Sequence, residues 1–164
     1  MDTVATSWLP IATIEALAAT PLGMWLAPLA IFAMAFTVMG LSIPGGLTPT
    51  AFLSGLLMGF GGVLVVALAA ALGSHALFLA SRRWLGERMR NRFGERMETV
   101  IAHMRKRGPI YVASARFAGV PHALVATGAA TSRMSARSFA GANLLGMLPA
   151  IVVATSAGSG LAML

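Results

Sequence analysis

The chain lacks cysteine and has little acid, since its 164 residues contain no Cys and only five Asp or Glu against twelve Lys or Arg. The absence of cysteine excludes disulfide bonds and thiolate metal sites. Charged residues make up 10% of the chain and apolar residues 57%, whereas a soluble domain has about 25% charged residues. This composition predicts an integral membrane protein, and the length predicts a single membrane domain over residues 1–164.

Charge is entirely absent from residues 16–81. A helix that spans a bilayer needs about 20 apolar residues, so this run is too long for one span. Proline and glycine interrupt it at residues 43–46, because proline lacks a backbone N–H and glycine loses helical order. We predict a first span over 22–41, a re-entrant segment over 43–61 and a second span over 63–80.

The basic residues are concentrated, since nine of the twelve lie in residues 82–107. Apolar residues recur there every three or four positions, which predicts one basic amphipathic helix lying on an anionic membrane surface. The alternative is packing of this helix on the protein's own spans, and both arrangements can hold at once. By the positive-inside rule, we predict that this segment and the N-terminus are cytoplasmic. The segment is short and tethered to the membrane, so nucleic-acid binding is not expected.

A second interrupted apolar run occupies residues 109–133, with Arg116 inside it and Pro121 breaking it. It predicts a second re-entrant hairpin. Arg133 marks the return to the basic side, so this hairpin enters from the cytoplasm. The run over 139–164 then predicts a final span.

The two halves, about 21–81 and 109–164, therefore share a layout in opposite orientations. We predict an all-α integral membrane protein with about three spanning helices and two opposed re-entrant hairpins in an inverted repeat, the arrangement of transporters whose broken segments meet near the midplane. The GxxxG spacing of Gly55 and Gly59 favours close packing within the hairpin, with assembly into a homo-oligomer as the alternative. The residues assigned to shaping the breaks and helix contacts are Pro44, Gly45, Gly46, Gly55, Gly59, Gly73, Pro121, Gly128, Gly146 and Pro149.

Arg116 is the first candidate for substrate binding. An arginine at membrane depth costs from about 2.5 kcal/mol upward and marks a polar cavity or pathway. The alternative is an arginine that snorkels to the cytoplasmic interface. No acid lies in a predicted span or hairpin, so we expect the guanidinium to pair with an anionic ligand, for which a lipid phosphate head group is the nearest candidate.

His75, His122 and Arg133 complete the predicted substrate-binding set. Each of the two histidines is either a hydrogen-bonded core residue or a group that changes charge near physiological pH. No further ligands accompany them, so we predict neither a metal site nor a cofactor. The chain has no nucleophile elbow, Walker motif, HExxH or paired carboxylates, and an enzyme is not expected.

Several short segments carry a resemblance to a known family when their order and spacing are taken together. They are Ile43-Pro44-Gly45-Gly46, Gly55-Leu56-Leu57-Met58-Gly59-Phe60-Gly61-Gly62, Ala71-Leu72-Gly73, Ser81-Arg82-Arg83-Trp84-Leu85-Gly86, Arg116-Phe117-Ala118-Gly119-Val120-Pro121, Ser132-Arg133-Met134, Phe139 and Gly146-Met147-Leu148-Pro149. Over about residues 38–160 the chain resembles the DedA superfamily, also called the SNARE-associated or VTT-domain membrane proteins.

The resemblance implies two opposed re-entrant hairpins and a role in lipid scrambling, undecaprenyl-phosphate recycling or proton-dependent membrane homeostasis. Arg116 matches the arginine of the family's second hairpin. The chain also departs from the family's pattern. An acid frequent before the first hairpin is missing, since residues 38–40 are apolar or glycine, and Gly119 replaces a frequent proline. His75 replaces the acid of the second span and is the residue to test for proton use.

We therefore expect a multi-pass, DedA-like protein of the bacterial inner membrane that moves a phosphate-bearing lipid head group, with anionic membrane lipids as its partners. A secondary transporter of a small solute or ion is one alternative. A membrane-organising factor that transports nothing is the other.

Overall fold

The computed structural model describes residues 20–21, 23–132 and 134–163, and within them the chain is helical with no β-strand. A 3-10 turn, Gly59–Gly61, and a π turn, Ser81–Leu85, connect successive helices. The helices are α1 (Gly23–Gly40), α2 (Leu47–Met58), α3 (Gly62–Ala80), α4 (Gly86–Phe93), α5 (Glu95–Arg107), α6 (Pro109–Phe117), α7 (His122–Thr131) and α8 (Ala136–Leu161).

Helix α3 is apolar on its exposed side as well as on its buried side. Leu64, Leu68 and Leu72 recur every four residues and are 76%, 58% and 46% exposed. Val66 and Ala70, on the packed side, are buried. A helix on the surface of a soluble protein turns a polar face to water, and soluble monomers rarely expose apolar patches beyond a few hundred Å². The outward leucine stripe is therefore the surface expected of a helix in lipid.

Two helical stretches in the described part of the chain are long and apolar enough to cross a membrane: Leu47–Phe93, which contains α3, and α8. This agrees with the predicted all-α class and with the second and final predicted spans. Helix α1 is apolar but shorter.

The end of α1 lies beside the middle of α3. A Cβ atom added to Gly73 would lie 3.1 Å from the backbone nitrogen of Gly40 and would clash with the carbonyl oxygen of Phe36. Gly73 is about 16 Å along α3 from its first residue. The close approach packs the end of α1 on α3. The predicted first span over 22–41 stays a prediction, since α1 is apolar but shorter than the two candidate spans.

The chain leaves the helical path at 41–46 and again at 59–61, the two breaks predicted to bound the first re-entrant segment. Helix α2 lies between them. Its 12 residues rise about 18 Å, too short for a hydrocarbon core of about 30 Å.

Helix α2 packs on α8 with the two backbones almost in contact. A Cβ atom at Gly55 would clash with the carbonyl oxygen of Thr155, and one at Gly158 would clash with that of Phe52. The Thr155 hydroxyl donates a 3.1 Å hydrogen bond to the carbonyl oxygen of Ala51. Small residues allow such close approach between membrane helices, and the GxxxG glycine of α2 serves a contact within the chain.

The basic segment forms two helices, so the prediction of one helix over 82–107 is wrong. The chain breaks at Gly94, whose φ of 49° lies outside the right-handed helical region. Across this break, Arg90 Nε and Glu98 Oε1 form an exposed ion pair at 3.0 Å.

The apolar stripe of α5 faces the protein. Met97 and Ile101 are buried in a cluster with Leu124 of α7, while Val100 and Met104 join the neighbouring core cluster. The apolar stripe of α5 therefore packs on the protein's own helices, and contact of its basic face with a membrane surface stays a prediction.

Candidate functional site: a cavity between the two chain breaks

The break between α1 and α2 and the break between α6 and α7 line the same cavity, whose volume is about 290 Å³. The first break contributes Pro44 and Gly45, and the second contributes Gly119 and Pro121. Gly45 and Gly119 have φ values of 75° and 70°. This left-handed region carries little strain only for glycine, so both turns depend on that residue type.

Arg116 enters the cavity from the last turn of α6. Gly146 of α8 makes room for it, since a Cβ atom there would lie 2.8 Å from the carbonyl oxygen of Ala113 and 2.9 Å from Cγ of Arg116. Gly146 is about 15 Å along α8 from its first residue. Arg116 therefore lies level with the middle of α8, which favours a cavity residue over one that snorkels to the basic end.

The partner of Arg116 is an amide. Its Nη2 donates a hydrogen bond to Oδ1 of Asn143 in α8, and Nδ2 of Asn143 lies 3.8 Å from Sδ of Met147. Nε of Arg116 is buried without a hydrogen-bond partner among the described residues. Because Asn143 is neutral, it orients the guanidinium without neutralising it.

Sequence analysis did not select Asn143. The available signal was its isolation, because it is the only asparagine in the final apolar run.

His122 begins α7 and lines the cavity together with Arg116. Both of its ring nitrogens are buried and lack a partner of normal hydrogen-bond geometry in the described part of the chain. A buried polar group left unpaired costs about 1–3 kcal/mol, so the cavity favours a ligand that forms hydrogen bonds.

Residues 43–160 match the family defined by the VTT domain, a match that covers more than half of the chain. The chain belongs to the VTT-domain family. This is the domain of the DedA, or SNARE-associated, proteins, so the resemblance seen in the sequence is confirmed. No curated protein and no solved structure gives a significant match to the chain.

Of the two remaining predicted binding residues, the structure describes only His75, and it lies away from the cavity. His75 lies half-buried in α3 with its ring centroid 6.3 Å from that of Phe78, and it is not among the residues that line the cavity. Arg133 lies outside the described residues. The structure thus brings Arg116 and His122 together and leaves His75 apart.

The other residues predicted to shape the VTT domain lie at turns, helix contacts and a groove. A Cβ atom at Gly46 would lie 2.8 Å from Val38, and one at Gly128 would lie 2.7 Å from Val100. Gly59 has a φ of 59° in the 3-10 turn, and Pro149 lines the groove described next.

An apolar groove of about 780 Å³ adjoins the polar cavity of the VTT domain. It lies between α2 and α8, and its walls include Phe52, Phe117 and Val153. Thr48 and Ala150 line both the groove and the cavity. The cationic cavity and the apolar groove therefore lie side by side, with Thr48 and Ala150 in the wall between them.

Proposed function

We propose that this VTT-domain protein is a DedA-like transporter or scramblase that moves a phosphate-bearing lipid head group, of a phospholipid or a polyprenyl phosphate, across the bacterial inner membrane. The observation that carries the proposal is that the Arg116 cavity and the apolar groove lie side by side and share Thr48 and Ala150. Arg116 supplies an uncompensated positive charge in the cavity, and the groove is apolar. An amphiphile with an anionic head and a hydrocarbon chain matches both.

In this proposal α3 and α8 span the membrane, while α1–α2 and α6–α7 are re-entrant hairpins that enter from opposite sides. The lengths of α2, in the first hairpin, and of α6, in the second, support this arrangement. Helix α2 rises about 18 Å and α6 about 13 Å, so their tips would meet near the middle of a hydrocarbon core of about 30 Å. The two tips line one cavity, as such a meeting requires.

Matching contacts in the two halves support the inverted repeat. In the first half Phe36, four residues before the end of α1, abuts Gly73 near the middle of α3. In the second half Ala113, four residues before the end of α6, abuts Gly146 near the middle of α8. Each hairpin tip then contains one glycine with a left-handed backbone, Gly45 or Gly119. This is the pattern of transporters built from paired broken segments.

The chemistry follows from the residues of the cavity. The guanidinium of Arg116, oriented by Asn143, binds phosphate oxygens, which guanidinium geometry matches well. His122 offers a further hydrogen bond from the same wall. The hydrocarbon chain occupies the groove beside Phe52 and Phe117. A polar site at mid-depth lowers the free energy of the charged head group where the bilayer would otherwise raise it most.

In this proposal the basic helices α4 and α5 indicate which side of the membrane is cytoplasmic. Their excess of Arg and Lys assigns them to the cytoplasm. Because α6 begins directly after α5, the second hairpin enters from that side. The predicted cytoplasmic N-terminus lies outside the described residues. Anionic lipids of the cytoplasmic leaflet are the proposed partners.

Translocation by purified protein in proteoliposomes tests the proposal, with labelled phosphatidylglycerol and labelled polyprenyl phosphate as substrates. Arg116→Ala should lower the rate at least about thirtyfold, since truncating one member of a buried charged pair costs 2 kcal/mol or more. Arg137→Ala, at an exposed position of α8, is the matched control and should translocate normally.

Insertion and helix content should be the same in both variants, as measured by flotation and circular dichroism. Full translocation by Arg116→Ala would contradict the proposal. Uptake of a soluble anion without lipid movement would favour the solute transporter, although the apolar groove gives a soluble anion no role. Complementation of a deletion strain by Arg116→Ala would favour the membrane-organising factor.

A further inference from the structure

A second polar cleft lies at the basic end of the molecule, where α3 passes into α4 through the π turn. Its volume is about 540 Å³, and it is bounded by the π turn, the start of α4 and the end of α7. Arg82, Arg83 and Arg90 line it against one acid, Glu87. None of these residues lines the Arg116 cavity. Single π turns within helices occur often at functional sites.

Two of the three arginines are held by the protein. Nε of Arg82 lies 3.4 Å from the carbonyl oxygen of Ala130, and its guanidinium carbon lies 4.7 Å above the Phe78 ring. Arg90 is paired with Glu98. These contacts fix the walls of the cleft.

Arg83 differs from its neighbours, since it is exposed and has no hydrogen-bond or ion-pair partner among the residues that the structure describes. Its guanidinium is therefore the group available to an external anion. The lining as a whole carries an excess of positive charge, which favours an anionic ligand.

An apolar groove of about 430 Å³ meets this cleft at Arg83 and Trp84 and continues along Ala76, Leu79 and Ala80 of α3. Trp84 is 72% exposed and Leu79 is 45% exposed. Tryptophan prefers the boundary between hydrocarbon and head groups. The groove therefore runs from the head-group level at Trp84 along the apolar side of α3. An acyl chain runs in the same direction from its head group into the membrane.

We propose that the cleft and groove bind one anionic phospholipid of the cytoplasmic leaflet, with its phosphate on Arg83, its glycerol region beside Trp84 and one acyl chain along Leu79. Basic pockets between membrane helices on the cytoplasmic side are suited to such head groups. The site rests on the membrane placement proposed above and is independent of translocation through the Arg116 cavity.

Quenching of Trp84 fluorescence by brominated lipid tests the site. Trp8→Phe and Trp25→Phe leave Trp84 as the only tryptophan. In nanodiscs, brominated phosphatidylglycerol should quench it more strongly than brominated phosphatidylcholine at equal mole fraction. Arg83→Gln should reduce this preference about fivefold, the contribution of one basic residue near an anionic surface. Arg88→Gln removes the same charge from an exposed position of α4 outside the cleft and should keep the preference.

Equal quenching by the two lipids would overturn the proposal, as would equal losses in Arg83→Gln and Arg88→Gln, which would indicate diffuse surface charge. Loss of the quenching preference on addition of millimolar inorganic phosphate would also overturn it, since the ligand would then be a free anion. Arg116→Ala should leave the preference intact, so failure of this site and failure of the translocation proposal give different results.

Discussion

The two proposed hairpin tips share backbone features and differ in chemistry. Each tip has a proline, a glycine with φ of 75° or 70° and a place in the wall of one cavity. The first brings no charged side chain to the cavity, and its polar contribution is the hydroxyl of Thr48, whereas the second brings Arg116 and His122. Among the described residues, the charge therefore enters the cavity from one side only.

In the proposed translocation, a single charge suits a site that the substrate must leave. Passage requires binding that is favourable enough to enter and weak enough to release. Two facing guanidiniums would repel each other when the cavity is empty and hold a phosphate strongly when it is full. The uncharged first tip and the neutral partner Asn143 leave the charge of Arg116 uncompensated among the described residues. Four groups of substitutions test this comparison.

The largest expected effect comes from neutralising the charge of Arg116 with a carboxylate of the protein itself. Asn143→Asp places a carboxylate on Nη2 of Arg116, and this carboxylate competes with the substrate phosphate. We expect translocation in proteoliposomes to fall at least about thirtyfold, from the strength of a buried charge pair. Asn91→Asp, in exposed α4, adds the same charge elsewhere and should be neutral. Normal translocation by Asn143→Asp would show that a free guanidinium is not required.

The next effect concerns the matching glycine contacts. Gly73→Ala and Gly146→Ala each place a Cβ atom against backbone atoms of α1 or α6, and we expect each to lower the free energy of unfolding by about 2 kcal/mol. Gly141→Ala is the control on α8, where a Cβ atom meets nothing within 4 Å. Denaturant unfolding in detergent micelles measures all three. If only one of the two variants had a lower free energy of unfolding, the two contacts would not be equivalent.

A smaller effect is expected at the tips themselves. Gly45→Ala and Gly119→Ala meet no atoms within 4 Å, so the cost is only that of a left-handed backbone, about 1 kcal/mol each. A Cβ atom at Gly61 also meets nothing within 4 Å, and the φ of Gly61 is a helical −60°. Gly61→Ala should therefore leave the free energy of unfolding unchanged. Equal unfolding midpoints for all three variants would mean that the tips relax without strain.

The smallest effect separates the two histidines. His122→Phe removes the polar atoms from the cavity wall, and we expect translocation to fall about threefold, the contribution of one neutral hydrogen bond. His75→Phe, in α3 and outside the cavity, should translocate at the normal rate. A larger loss of translocation in His75→Phe than in His122→Phe would indicate that the pathway lies beside α3 and that His75 is a binding residue.

Much of the helical framework was predictable because proline and glycine act locally. The interruptions at 43–46 and around Pro121 follow from lost backbone hydrogen bonds and lost helical order. The break at Gly94 was missed because the apolar period continues across it, and periodicity alone does not distinguish one helix from two.

The candidate site was predictable only in part. Arg116 stood out by its cost in an apolar run. Its partner did not, because α8 is apolar around most of its circumference and its rotation toward α6 is set by packing. His75 was expected beside the ligand because it lies at depth, yet depth along a helix does not specify which side of the helix faces a cavity.

By itself the sequence determined an apolar, helical chain with two broken segments and one arginine in an apolar run without acids, because composition and local backbone chemistry suffice for these. Only the tertiary structure decided that both breaks line one cavity, that Arg116 meets Asn143 and that an apolar groove lies beside the cavity. Those features depend on contacts between residues far apart in the chain, where the close approach of glycines sets the spacing and rotation of the helices.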